Sequence, residues 1–219
     1  KSNAYGHGLI PVAEALALEN PAYFAVFELD EALKLAEAGC KVPVLILMGL
    51  RRVDVGTAVD KGFTVCLFSE GIARELSERA LARGITTPVH VKVDTGMTRL
   101  GVPWTDLSRF LGLVASLKGI RLTGICSHLA ASDEPVNDFT DQQLERFLSA
   151  VDKSPAVSTR PELLHAANSG AVLTGKGTHL GMVRPGLALY GSSPGQGPAR
   201  RLSLKRAMTF KSSIIQVRT

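Results

Sequence analysis

Short apolar runs alternate along the chain with stretches of helical period. Tyr23–Leu29 (YFAVFEL), Val42–Gly49 (VPVLILMG), Phe63–Phe68 (FTVCLF), Val89–Asp94 (VHVKVD), Leu122–His128 (LTGICSH) and Pro161–Ala167 (PELLHAA) have the length and composition of strands. VPVLILMG is nearly continuously apolar, as expected of a strand covered on both faces. Helices are predicted between these runs. One follows Asp30 and ends at Gly39. A second is capped by Ser69 and runs towards Gly84. Two more span about Pro103 to Leu117 and Thr140 to Lys153. Two further short strands, Thr178–Arg184 and Leu187–Gly191, flank Pro185-Gly186. Strand followed by helix, repeated, predicts a parallel sheet with helices outside it. A closed barrel and an open doubly wound sheet both satisfy this pattern.

Composition narrows the class. Of 219 residues, 45% are hydrophobic and 21% charged, an ordinary globular balance and not that of a disordered chain. No apolar run approaches the roughly 20 residues of a membrane-spanning helix. The net charge of +5 is spread along the chain, and aromatics make up only 5%. That is little for base stacking, so nucleic acid is not an expected partner. Cys40, Cys66 and Cys126 each sit beside apolar sequence and read as buried free thiols of a reducing compartment.

The chain opens at Lys1 without a Met and closes at Thr219 within MTFKSSIIQVRT, which reads as a strand. A piece of a longer protein is expected. Residues 1–195 form the αβ unit. Residues 196–219 hold the end of a Gly/Pro/Ser-rich linker and the first strand of a β-rich domain.

The unusual polar residues fall just after predicted strands: Lys92, Asp94 and Arg99; His128; His165, Asn168 and Ser169; Arg184 and Gly186. In barrels and open α/β sheets alike, these strand ends carry the active site. Each residue also has a plain structural reading. A single histidine is often a satisfied core residue. Asn168-Ser169 is a helix cap as readily as an anion site. Lys92 lies inside the alternation Val91-Lys92-Val93. It either points outward or needs a partner, because an unpaired buried ammonium is costly. No Cys/His spacing fits zinc, and KSNAYGHG lacks the spacing of a nucleotide phosphate loop.

Five segments in this order carry a family resemblance: KSNAYGHG, VKVDTGMTRLG, SHLAASDE, HAANSGAVL and MVRPGLALYG. Together they resemble the amino-terminal domain of bacterial alanine racemase, an enzyme that uses pyridoxal 5'-phosphate (PLP). The resemblance implies a PLP-binding (β/α)8 TIM-type barrel, lacking its first strand here, followed by the start of a β-rich domain. It implies interconversion of L- and D-alanine in the cytoplasm, supplying peptidoglycan synthesis, by a homodimer whose subunits share the active site.

By the same resemblance, Lys1 is the PLP-linked lysine and one of two catalytic bases. The opposite base is a tyrosine of the carboxy-terminal domain, so these residues alone are expected to be inactive. Tyr5, Asn168, Ser169, Gly186 and Leu187 correspond to the phosphate site. Arg184 corresponds to the arginine facing the pyridine nitrogen, and His128 to a residue orienting the cofactor. Arg99 corresponds to the arginine near the substrate carboxylate. Lys92 corresponds to a lysine that is often carbamylated. Two alternatives stay open: a broad-specificity or serine racemase of the same fold, and a non-catalytic PLP carrier.

Overall fold

A computed structural model of the protein describes residues 1–134, 138–154, 161–175, 180–193 and 202–218. Six strands form one parallel sheet: β1 (Phe24–Val26), β2 (Val44–Ile46), β3 (Thr64–Leu67), β4 (Thr87–Asp94), β6 (Ile120–Cys126) and β7 (Leu163–His165). They pair in chain order, and the two-residue β5 (Val102–Pro103) adds to β4. The helices between them are α2 (Leu9–Ala17), α3 (Leu29–Glu37), α4 (Val55–Asp60), α5 (Glu70–Ala82), α6 (Leu107–Ser116), α7 (Phe139–Asp152) and α8 (Ser169–Thr174). The entry segment, α1 (Ser2–Tyr5), is a single turn of opposite hand.

Side chains alternate across each strand, so the sheet has an outer face towards the helices and an inner face. Val44, Ile46, Val65, Leu67, Val89, Val91, Val93, Ile125 and Leu164 belong to the outer layer. They pack with the apolar stripes of the helices: Ala32 and Leu35, Leu76 and Ala80, Phe110 and Val114, Phe147 and Val151. The inner positions form a separate, smaller cluster of Leu45, Cys66 and Cys126, with Tyr23, Leu47 and Met182 against it. His90, Lys92 and His165 occupy registered inner positions among them.

The six expected central strands are present; β1, β2, β3 and β7 are shorter than expected, whereas β4 and β6 each begin two residues earlier. Gly39 and Gly84 follow the ends of α3 and α5 with positive φ, as expected of helix-terminating glycines. Several expectations differ. α3 begins at Leu29 with Glu28 in the cap position, so Asp30 lies inside its first turn and does not cap it. Leu187–Tyr190 is a 3-10 turn, not a strand, because its backbone is folded back onto Ser169. Residues 180–184 are likewise not a strand; Thr178 and the next residue lie outside the described residues. The segment 208–218 forms no strand either: Phe210, Ile214 and Ile215 are almost fully exposed, with no neighbouring strand to pair with. Most of the predicted linker, residues 194–201, lies outside the described residues. Cys66 and Cys126 are buried free thiols, whereas Cys40 is only half-buried, at the turn after α3. Among the described residues no helix is long and apolar enough to cross a membrane.

Candidate active site

Lys1 begins the left-handed turn. Ser2, Asn3, Ala4 and Tyr5 all have φ between 52° and 57°. Four consecutive non-glycine residues in this region are costly for L-amino acids, so surrounding contacts must hold them there. Those contacts come from both sides. The Leu9 amide donates to Asn3 Oδ1 at 2.8 Å, and the Asn3 amide donates to Glu31 Oε1 at 3.3 Å. Glu31 also accepts from the Phe27 amide at 3.0 Å, so one carboxylate ties the turn to the end of β1. The turn brings the Tyr5 ring under Lys1, whose Nζ lies 5.4 Å from the ring centroid.

Tyr5 points towards the 3-10 turn. A Cβ at Gly186 would lie 2.5 Å from the Tyr5 hydroxyl, so only glycine admits the approach. Ser169 Oγ accepts from the Gly186 amide at 2.8 Å and the Ala188 amide at 3.2 Å. Tyr5, Ser169, Gly186 and Leu187 therefore meet at one point, which is rich in donors. Asn168 stands behind it as a structural tie. Its Oδ1 caps α8 at the Ala171 amide, 3.1 Å away, and accepts from Ser132 Oγ at 2.6 Å, while Nδ2 donates to the Leu129 carbonyl at 3.0 Å. The cap reading of Asn168 is thus realised.

Arg184 lies across the strand ends. Its guanidinium donates to the carbonyls of Ser127 at 2.7 Å and Ala166 at 3.1 Å, and to His165 Nδ1. No carboxylate pairs with it among the described residues. Burial pulls its pKa down from the ordinary value, yet an arginine there stays charged. Its direct partner is His165, a residue that position alone had singled out without giving it a role. His165 Nε2 is 2.8 Å from His90 Nδ1, and His90 is fully buried. The role of His90 was not legible in the sequence, where it is one polar residue in VHVKVD. Its inward placement follows only from the register of β4.

His128 shows how the cations converge. Its pKa is pushed down to about 3, first by burial and then by the positive charges of Arg184, Lys92, Arg99 and Lys1. Those four residues come from three separate segments, Lys92 and Arg99 sharing one. Lys92 is buried, and among the described residues its Nζ donates only to the Leu47 carbonyl, at 3.4 Å. Arg99 is exposed in the loop after β4, whose turn is set by Asp94 Oδ1 accepting from the amides of Gly96 and Thr98. The strand ends thus gather positive charge, with Glu31 and Asp94 spent on backbone amides and a cluster of hydroxyls and amides on one side.

The family described as "Alanine racemase, N-terminal domain" matches residues 1–194. The chain belongs to the alanine racemase family. Alanine racemase 2 of Caldanaerobacter subterraneus subsp. tengcongensis is 41% identical over 219 residues, covering all of this chain and 56% of that protein. Alanine racemase of Syntrophobacter fumaroxidans is 39% identical over 220 residues, covering all of this chain and 58% of that protein. The chain thus spans a little over half the length of these curated relatives.

The fold agrees with solved alanine racemases. The Clostridium difficile 630 enzyme in complex with cycloserine superposes with a TM-score of 0.88 at 30% identity, over 94% of this chain and 57% of that one. The enzyme from the D-cycloserine-producing Streptomyces lavendulae gives 0.88 at 32% identity, over 94% of this chain and 55% of that one. Of the two sheet arrangements compatible with the sequence, the curled parallel sheet of the alanine racemase barrel is the one adopted.

The residues present fit PLP. A phosphate needs several N–H and O–H donors; the hydroxyls of Tyr5 and Ser169 can donate to it, beside a turn whose Gly186 and Ala188 amides rest on Ser169 Oγ. A pyridine ring needs a fixed polar partner, and Arg184 is held by three acceptors.

Proposed function

We infer that the protein containing this chain is a PLP-dependent alanine racemase. The reading is supported most by the match of the alanine racemase amino-terminal domain family over residues 1–194, together with Arg184 fixed at the strand ends and the Tyr5–Ser169–Gly186 cluster. When bound, PLP makes the α-proton of an amino acid acidic by delocalising the carbanion.

The residues of this chain divide the remaining work. Lys1 Nζ anchors the cofactor covalently and moves the α-proton on one face of the substrate. Tyr5, Ser169 and the amides of Gly186 and Leu187 bind the phosphate, with Asn168 holding α8 in place behind them. Arg184 faces the ring nitrogen and keeps it unprotonated, since a guanidinium does not give up its proton. His128 stays neutral and orients the cofactor. Arg99 receives the substrate carboxylate.

Lys92 takes up carbon dioxide as a carbamate: the ammonium first gives up one proton, and the amine gives up a second as its nitrogen bonds to the carbon. That converts a buried cation into an anion able to hold Arg99. The absence of any carboxylate pairing with Lys92 among the described residues supports this reading. The opposite face is served by a tyrosine of a second domain, donated by the partner of a homodimer in the cytoplasm. The D-alanine formed supplies peptidoglycan synthesis.

The test is D-alanine formation from L-alanine by the complete protein with PLP. Lys1→Ala is expected to lower it by on the order of a thousandfold. D-alanine from the wild type and none from the variant supports the assignment. D-serine as the faster product moves it to a serine or broad-specificity racemase. PLP bound without turnover of any amino acid would make the protein a cofactor carrier.

A further inference from the structure

Arg184, His165 and His90 form a line of side chains running from the strand ends into the sheet interior. The proton positions along it follow from one fixed point. A guanidinium carries only donors, so where Arg184 meets His165 Nδ1, that nitrogen must offer its lone pair. A neutral imidazole with a bare Nδ1 carries its proton on Nε2. His165 therefore donates from Nε2 to His90 Nδ1, across 2.8 Å. His90 in turn must hold its own proton on Nε2. That Nε2 is buried and has no hydrogen-bond partner among the described residues.

The orphaned N–H is an unusual cost for a fully buried side chain. The surroundings nevertheless hold the ring in place. The strand pairing shifts between Val89 and His90, which sets Gly124 opposite His90. A Cβ at Gly124 would lie 2.8 Å from three atoms of the ring. The Tyr23 ring stands edge-on to it, with centroids 5.5 Å apart. Burial and the nearby Arg184 charge keep both histidines uncharged at neutral pH. A bulge, a glycine and an aromatic edge thus fix a polar ring whose single polar contact is with His165.

We propose that His90 is a positioning residue for Arg184: by accepting from His165 Nε2 it locks the tautomer that gives the guanidinium an acceptor. Without that acceptor, His165 is free to carry its proton on Nδ1 and face Arg184 donor to donor. Arg184 then keeps only its two carbonyl partners. The proposal rests on the inference that Arg184 faces the cofactor ring, but its first test does not depend on that reading.

Nitrogen NMR of isotope-labelled histidines in the complete protein without added PLP reports the tautomers directly. The wild type is expected to show His165 protonated on Nε2 and bare on Nδ1. His90→Leu removes the acceptor and is expected to give a mixture of tautomers at His165. His90→Asn, whose Oδ1 can take the place of Nδ1, is expected to restore the wild-type pattern. With PLP and alanine, His90→Leu should lower racemisation about tenfold or more with little change in KM, and His90→Asn should recover most of it.

A proton on His165 Nδ1 in the wild type overturns the proposal, even if no variant folds. So does an unchanged His165 tautomer in a folded His90→Leu protein. Tautomers as expected, with no racemisation by the wild type, would leave the relay standing and overturn the functional reading instead.

Discussion

The two faces of β4 are equally buried and chemically opposite. Val89, Val91 and Val93 look outward and lie in the main apolar cluster with the helices. His90 and Lys92, one residue away in each case, look inward at Cys66, Cys126 and His165. Burial alone does not separate these faces. What separates them is the kind of neighbour. The outer face meets methyl groups and contributes stability. The inner face meets sulfurs, imidazoles, a carbonyl and a guanidinium, and carries the cost of a ring nitrogen without a partner among the described residues. A single strand thus serves as wall on one side and site on the other, because its side-chain period is two.

The sharpest way to break this contrast is to move the charge by one residue. Val91→Lys places an ammonium among apolar side chains with no partner. It is expected to cost about 3–5 kcal/mol, enough to unfold a marginal domain, read as a lost or sharply lowered thermal transition.

Acid tests the inner face next. His90 is neutral in the fold, its pKa pushed down to about 4 by burial and then by the Arg184 charge. The unfolded chain protonates near its ordinary value of about 6.5 and so binds more protons between the two. Stability is therefore fully present above about pH 6.5 and falls as pH drops towards 4. His90 alone accounts for about 3 kcal/mol. Urea titrations across that window should show the loss flatten in His90→Asn. An unchanged slope in the variant would show that His90 is not buried neutral.

Lys92→Val is expected to do the reverse of Val91→Lys. With carbon dioxide excluded, the side chain is an ammonium with no carboxylate partner among the described residues, and replacing it by a hydrophobe should leave stability unchanged or raise it by about 1–3 kcal/mol, while racemisation by the complete protein drops. A destabilised Lys92→Val protein would show that the lysine is a structural residue with a partner. Gly124→Ala is the mildest change, one methyl group pressed against the His90 ring. A loss of about 1–2 kcal/mol in denaturant titration is expected, and smaller in a His90→Ala background because the clash is gone.

Much of this molecule was legible one-dimensionally. Ser69 before α5 and Asn168 before α8 mark helix starts, and Gly39 and Gly84 follow helix ends with positive φ. The apolar runs located all six central strands. The motif residues at the strand ends identified the family, whose sequence pattern covers residues 1–194. Other features were not legible. LALYG has strand-like composition, yet it forms a 3-10 turn because Ser169 Oγ holds two of its amides. KSNAYGHG reads as an ordinary glycine-bearing loop. Its left-handed winding depends on Glu31, 28 residues away from Asn3.

The sequence by itself determined the order of the six central strands and of the helices α3, α5, α6 and α7, the family, and which residue types stand at the strand ends, since period, caps and motifs are local properties; α2 and α4 were not read from it. Only the tertiary structure decided which face each β4 residue meets and that His165 is the direct partner of Arg184. It also decided that His90 stands behind His165. Those facts depend on strand register and on the shift between Val89 and His90. Register is set by pairing with segments 24 to 39 residues away, which no local pattern encodes.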